Sequence, residues 1–254
     1  MTGGLPPVRD IDHLMVHVHD VEAAGQRFEA LGFTVTPKSS MAALGLSNRC
    51  VLFQPANDHC CNYIELMAME DPGRVPLFMH DVLGTAEGPV SLVMATPDAR
   101  AAADDFAARG VPCHPPFDVQ RDWHLGDGID VQVAFGVCMP EAGRAPLYWN
   151  LCEHRTRQHY VRPDITTHAN GARRIAGVEA VASDPLQVAR FLGADWSTPV
   201  RQDAADACHL RPGDVTLSIS RDRGASEPAI VALRLEELSP ESATTLFGLE
   251  LRRA

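Results

Sequence analysis

A motif that recurs along the chain restricts its folding more than any other feature. The runs His13 to Asp20, Ser91 to Asp98 and Gly177 to Asp184 each read as a strand that ends in Asp. In the first two copies Phe28 and Phe106 follow that Asp by eight positions, and Gly32 and Gly110 by twelve. The third copy is three residues shorter and reaches its glycine at Gly193. Repetition of this kind means that each copy is one supersecondary unit, which must stack on its neighbours to bury an apolar face.

Each part of the unit has a physical reading. Asp20, Asp98 and Asp184 suit helix N-caps, because a carboxylate accepts from the free N–H groups of a first helical turn. The stretch from Val21 to Leu31 carries helix formers with apolar residues at helical spacing. Gly32, Gly110 and Gly193 read as left-handed helix stops. Strands are expected after them at Phe33 to Thr36 and Val111 to Cys113, and less clearly between Ala194 and Val200. Two further strands then close each unit: Arg49 to Gln54 and Asn62 to Met67, Asp130 to Val137 and Leu147 to Cys152, Cys208 to Arg211 and Asp214 to Ser220. Pro212-Gly213 marks the turn between the last two. A fourth start at Ala229 to Leu235 has a short helix after Ser239 and one strand near Leu249 to Arg252, so this unit is truncated. The fold class expected is α+β, with tandem βαβββ modules, paired curved mixed β-sheets and helices on the outside.

Side chains alternate across a strand. Leu14, Val16 and Val18 should therefore pack on the helix, while His13, Met15, His17 and His19 face away. In the closing strand Tyr63, Glu65 and Met67 oppose Ile64 and Leu66. If two sheets curl together, His13 and Glu65 project into the cleft between them. An imidazole and a carboxylate there can hold a divalent metal or act as an acid–base pair. Each also has an ordinary structural reading, as a hydrogen-bonded or ion-paired residue on a sheet face.

Composition removes several classes of function. The 254 residues carry a formal charge of -11, without the basic footprint that nucleic-acid binding needs. No apolar run approaches the ~18 residues of a membrane span. Met1 to Pro7 has no signal-peptide pattern. The seven Cys show no CxxC spacing and read as reduced thiols of a cytoplasmic protein. With 45% hydrophobic residues the chain can build an ordinary core. There is no phosphate loop, no GxGxxG and no GxSxG.

The βαβββ repeats, the opening Asp12-His13-Leu14 and the closing strand Tyr63-Ile64-Glu65-Leu66 resemble the vicinal oxygen chelate superfamily. Leu46 to Cys50, and the connector from Arg162-Pro163-Asp164 to His168 through Ala172, are similar to its glyoxalase-like branch of bacterial proteins. The resemblance spans roughly residues 8 to 220 and implies paired modules that form a cup around a divalent metal such as Zn, Fe, Mn or Ni. By position, His13 and Glu65 match its first- and last-strand ligands. The second module offers Ser91 and Asn150 at the same places, and neither is a usual ligand. Three arrangements stay open: a third ligand from His17 or His154, a weak site completed by water and substrate, or a metal-free site. In the last, His13 and Glu65 would be catalytic, with His17, Asn48, Ser91, Asn150 and His154 binding the substrate.

The domains implied are 8–155 (modules 8–70 and 88–155), a connector at 156–172, and 173–254 with the third and truncated fourth modules. Gly177 in the first strand and the hydroxyls of Thr216, Ser218 and Ser220 in the last make this final part structural. The connector, carrying Tyr160 and His168, is expected either to wall the cleft or to serve as a plain linker. Trp123 and His124 are placed on a loop before the turn Gly126-Asp127-Gly128. The function implied is that of a lyase, isomerase or dioxygenase for a small oxygen-rich molecule. A non-catalytic protein that sequesters such a molecule in the same cup is the alternative. A small-molecule ligand is the partner expected, and a homodimer is left open.

Overall fold

The computed structural model describes residues 7–126 and 128–254. The first unit runs β1 (Asp10–His17), α1 (Val21–Glu29), β2 (Ser39–Met41), β3 (Leu46–Leu52) and β4 (Tyr63–Met69). A short helix α2 (Leu77–Leu83) leads to β5 (Gly88–Ala95), α3 (Ala99–Ala108), β6 (Phe117–His124), β7 (Asp130–Cys138) and β8 (Trp149–His154). After α4 (Pro163–Thr166) come β9 (Ile175–Ala182), α5 (Pro185–Trp196), β10 (Val200–Gln202), β11 (Cys208–Leu210) and β12 (Thr216–Arg221). The chain closes with β13 (Ala229–Leu235), β14 (Thr244–Leu246) and β15 (Leu249–Arg253).

The strands form two sheets, ordered β2-β3-β4-β1-β5-β8-β7-β6 and β10-β11-β12-β9-β13-β15-β14. The fold is the α+β architecture of βαβββ units expected from the repeat. In each unit the first and last strands pair in parallel, as β1 with β4 and β5 with β8. Antiparallel pairing of β1 with β5 then fuses the first two units into one eight-stranded sheet. The cleft is therefore the hollow of a single curled sheet rather than a gap between two. Its edge strands β2 and β6 nearly meet, and the Arg121 guanidinium on β6 donates to Ser39 Oγ on β2 across the seam. The second sheet repeats this order without a counterpart of β6. A single helical turn, Pro240–Ser242, stands where the fourth unit would carry its helix.

Local chemistry explains the element boundaries. Asp20 and Asp98 each accept two N–H groups of the first turn of their helices, and Asp184 accepts one. Gly32 and Gly110 take positive φ values of 81° and 72°. Gly193 does not stop its helix. Helix α5 runs on to Trp196, and Ser197 takes the left-handed position instead. The use of Gly193 is close packing, because a Cβ there would lie 2.7 Å from Thr198 O. The strands after the first two helices begin later than the apolar residues suggest. Pro37 in unit one and Pro112, Pro115 and Pro116 in unit two lack the N–H that a ladder needs. Trp123 and His124 lie on β6, not on a loop, and its inward positions alternate with exposed ones. Asp127, from the turn expected after them, lies outside the described residues.

One core runs through both sheets. Leu14, Val16, Ile64 and Leu66 of the first sheet share it with Phe28 of α1, Phe106 of α3, and Val178, Leu192 and Leu233 of the C-terminal part. Trp149 on β8 meets Trp196 at the end of α5 edge to face, 6.3 Å between centroids. Asp10 ties the two sheets together. Its buried carboxylate accepts from the backbone N–H of Ile11, Asp214 and Val215 and from Asn57 Nδ2. No described helix is long and apolar enough to cross a membrane. All seven Cys are free thiols, and all but Cys113 are buried.

Asp10→Ala leaves two C-terminal N–H groups without their acceptor. We expect a loss of about 2–4 kcal/mol, from several hydrogen bonds to a charged group. A fall in the urea midpoint at unchanged m checks it.

Candidate active site

The concave face of the first sheet encloses a cavity of about 320 Å³. Most of its wall is apolar. Met15, Met41, Met67, Met79 and Met139 contribute flexible thioethers, and Phe78, Phe117 and Phe135 add aromatic surface. Helix α2 supplies Phe78 and Met79 from the β4–β5 connection. The polar wall consists of Asn48 on β3, Glu65 on β4, Arg121 on β6, Asn150 and His154 on β8, and His13 on β1.

Strand alternation accounts for His13 and Glu65. Leu14 and Leu66 pack into the outer core, while His13, Met15, Tyr63, Glu65 and Met67 face the cavity. His13 Nε2 lies 3.6 Å from Glu65 Oε2, with 4% and 11% of the two side chains exposed. Asn48 Nδ2 donates to Glu65 Oε1 at 2.6 Å. Tyr63 stacks on the His13 ring at 3.9 Å between centroids.

Asp12 breaks the alternation. The β1–β5 register shifts between Ile11 and His13, so Asp12 is the extra residue of a bulge. A bulge re-aims a side chain. The Asp12 carboxylate reaches under the cavity floor, where Oδ1 meets His13 Nδ1 at 2.6 Å and His154 Nε2 at 3.0 Å. Its Oδ2 accepts the Cys61 backbone N–H at 2.8 Å. Asp12 is fully buried.

The result is a buried chain in which carboxylates and imidazoles alternate, Glu65–His13–Asp12–His154. Burial opposes the charge on each member, and the neighbours outweigh it. Burial would raise the Glu65 pKa, but the His13 hydrogen bond and charge, with Asn48, hold it below the usual carboxylate value. Burial would lower His13, but Asp12 and Glu65 leave it raised. Asp12 is strongly lowered against burial by its two imidazoles. Burial would also lower His154, and its contacts with Cys152 and with Asp12 raise it above the ordinary imidazole value instead. The Cys152 thiol lies 3.5 Å from His154 Nε2, and burial pushes its own pKa up.

The other residues expected at the site divide. Asn150 lines the cavity and its Oδ1 accepts from the Ser91 hydroxyl at 2.7 Å, with Ser91 buried behind it. His17 shares the strand face of His13 but is not among the lining residues; its Nδ1 lies 2.9 Å from the Ala86 carbonyl. From the connector only Tyr160 lines the cavity, packed on Trp123 and His154 at 4.8 and 4.5 Å. His168 is buried between Phe33 and Phe53, where desolvation takes its pKa down to about 4. The sequence reading missed Asp12 and Arg121 as parts of the site and left Tyr160 on a connector that either walls the cleft or merely links; Tyr160 is on the wall. The opening Asp12-His13 and the inward parity of Arg121 with Trp123 were the available signals.

The donors can be tested against a metal. His13 Nε2 and Glu65 Oε2 face each other as two ligands could, and the Asp12 bond to His13 Nδ1 is a usual orienting contact for a metal-bound imidazole. The corresponding places on the second unit hold Ser91 and Asn150, bonded to each other. Below the floor, Asp12, Cys61 and His154 bring three donor atoms within 4.8 Å of one another. There Asp12 Oδ1 already serves both imidazoles, and the group offers three donors rather than four. Neither group supplies the full donor set of a resident transition metal, and no step is routed through one.

The glyoxalase-like domain family model matches residues 11–196, and the chain belongs to this family within the vicinal oxygen chelate superfamily. No curated protein matches the chain. A hypothetical protein from Staphylococcus aureus superposes with a TM-score of 0.75 at 11% identity, over 96% of this chain and 98% of that one. A mutant of 4-hydroxymandelate synthase from Streptomyces coelicolor gives a TM-score of 0.56 at 14% identity, over 91% and 71% of the two chains. The Mn(II)-bound glyoxalase from Novosphingobium aromaticivorans gives 0.52 at 10% identity, over 94% and 69%. At these identities the likeness is one of fold.

Asp12→Asn removes the anion that both imidazoles share. We expect the pKa of His13 and of His154 to fall toward the ordinary imidazole value. Imidazole ¹⁵N shifts across a pH titration measure this directly.

Proposed function

We propose that the cavity is the active site of a small-molecule lyase or isomerase that moves a proton next to a carbonyl group without a metal. The observation that carries this reading is the Glu65 carboxylate at the wall of an apolar cavity, fixed by Asn48 and facing His13 Nε2 across 3.6 Å, with the Glu65 pKa lowered and the His13 pKa raised by their contact. That separation is too long for a good hydrogen bond. A substrate oxygen entering there would take the Nε2–H of His13.

The step balances within these groups. Glu65 accepts a proton from the carbon beside the carbonyl, the C–H electron pair moves to the carbonyl oxygen, and the His13 N–H stabilises the resulting oxyanion. Asp12 keeps His13 charged and fixes its ring. Return of the proton to the same carbon gives exchange. Where that carbon bears a hydroxyl, passage of the hydroxyl proton to the enolate oxygen and return of the carbon-bound proton to the former carbonyl carbon gives isomerisation. Where the β-carbon bears a leaving group, the enolate electron pair forms a C=C bond as that group departs with its bonding pair, a lyase reaction. Ser91 fixes the Asn150 amide beside this centre. A protein that only sequesters its ligand is the second reading, favoured by the many flexible Met side chains on the wall.

The test is hydrogen exchange of aryl-substituted carbonyl compounds in D₂O, followed by NMR. Glu65→Gln should slow exchange by about 10²–10⁴-fold, the usual worth of a general base. Binding without exchange across the panel would favour sequestration.

The rate should also depend on pH in a fixed sense. The lowered pKa of Glu65 keeps the base ionised down to below the ordinary 4.5, and the raised pKa of His13 keeps the acid charged above 6.5. Activity therefore falls on the acid side below 4.5 and on the alkaline side above 6.5. By linkage, Glu65 contributes stability that is lost as pH falls through its lowered value, and His13 contributes stability that is lost as pH rises through its raised value. Asp12→Asn should move the alkaline limb of the rate profile downward.

A further inference from the structure

The cations at the cavity wall are not equivalent. His13 lies against Asp12 and Glu65, and His154 lies against Asp12. Arg121 forms no ion pair with a carboxylate among the described residues. One of its terminal nitrogens donates to the neutral hydroxyl of Ser39, and its Nε is buried without a hydrogen-bond partner. The guanidinium carbon lies 5.6 Å from the centre of the Trp123 ring. Elsewhere in the chain Arg49, Arg144 and Arg155 each have carboxylate partners. A guanidinium facing an apolar space is costly unless a partner completes it.

Two further polar atoms at the wall also lack partners. Asn48 Oδ1 is an unused acceptor and His154 Nδ1 is an unused ring nitrogen, and both are buried. The apolar remainder, with Met15, Met67, Phe78 and Met79, suits a hydrocarbon or aryl body. A planar carboxylate matches the donor fork of a guanidinium better than any neutral group. Arg121 has no carboxylate in ion-pair contact among the described residues and acts on Glu65 only through its charge, so its donor fork is open to a monoanion. A doubly charged phosphate would exceed it in a cavity otherwise made of thioethers and rings.

We propose that the ligand is a small carboxylate with an apolar body, its anionic end on Arg121 over Trp123 and its reacting part beside Glu65. This rests on the reading of the cavity as the active site and names the substrate class. Arg121 would then set specificity by charge, while Glu65 does the chemistry.

The experiment measures binding alone, by calorimetry and by intrinsic Trp fluorescence. The probes are ω-phenylalkanoates with two to five methylenes, each compared with its primary amide of the same shape. For the acid that binds best we expect at least about a tenfold preference over its amide, as one charge-assisted bidentate pair provides. Arg121→Gln should abolish the preference by weakening the acid and leaving the amide unchanged. Arg121→Lys should retain part of it.

Ser39→Ala removes the bond across the seam but not the charge, and the preference should survive it. Circular dichroism and the melting temperature of each variant report whether it folds; if Arg121→Gln does not, the comparison of Arg121→Lys with Ser39→Ala carries the test. Equal affinity for acid and amide, a preference that survives loss of the Arg121 charge, or no binding of any probe would overturn the proposal. Repeating the titration in Glu65→Gln separates it from the catalytic reading. A charge preference intact there, without exchange in any variant, leaves the ligand class standing and removes the reaction. Exchange that depends on Glu65 without a charge preference does the reverse.

Discussion

Antiparallel pairing of β1 with β5 holds the rest of the molecule in register. A hollow needs both of the first two βαβββ units, and the hydrogen bonds between these two strands make one sheet from them. β1 also pairs with β4, so the strand that carries His13 lies beside the strand that carries Glu65. The single irregularity near the start of β1 is equally consequential. Without the bulge, Asp12 would point into the outer core with Leu14. With it, the carboxylate lies below the cavity floor and joins two imidazoles that come from strands far apart in sequence.

The charged chain is tolerated because its members alternate in sign. A lone buried carboxylate or imidazolium is expensive, and a pair recovers its desolvation cost only when the remaining polar atoms are also satisfied. Asn48 on Glu65 and the Cys61 N–H on Asp12 fulfil that condition at the two carboxylates. The cavity above is left apolar, so the same charges act there through a weakly screening medium. Removal of either carboxylate would leave an imidazolium short of its counter-charge.

Much of the fold was legible because its signals are local and repeated. The three Asp caps, the first two glycine stops and the period-two alternation of β1 and β4 follow from backbone chemistry that short stretches of sequence carry. The helix that continues past Gly193 was not legible, because that glycine answers to the close approach of Thr198, a contact across a turn. The late starts of β2 and β6 could have been read from Pro37 and from Pro112, Pro115 and Pro116, which withdraw donors. At the site, parity was enough to aim His13 and Glu65. It could not reveal that His17, on the same face, ends against the Ala86 carbonyl, since the course of a loop decides that. Asp12 was hidden for the same kind of reason, because a register slip brings it in and leaves no periodic trace; for Tyr160 the sequence left two readings of its connector open, and the course of that connector decides between them.

The cup is a rolled sheet and not a sealed barrel. Seven of its strand boundaries are continuous backbone ladders, whereas β2 and β6 meet through a side-chain bond. Parting a ladder costs many hydrogen bonds at once; the seam holds one hydrogen bond among the described residues, worth about 1 kcal/mol net or somewhat more for a charged donor, beside the apolar packing of Phe117 and Trp123. Compliance is thus concentrated along a single line. A guest could slip between the lips of the roll while every other strand keeps its neighbour, and the residue it would displace from Ser39 is the one best suited to hold it.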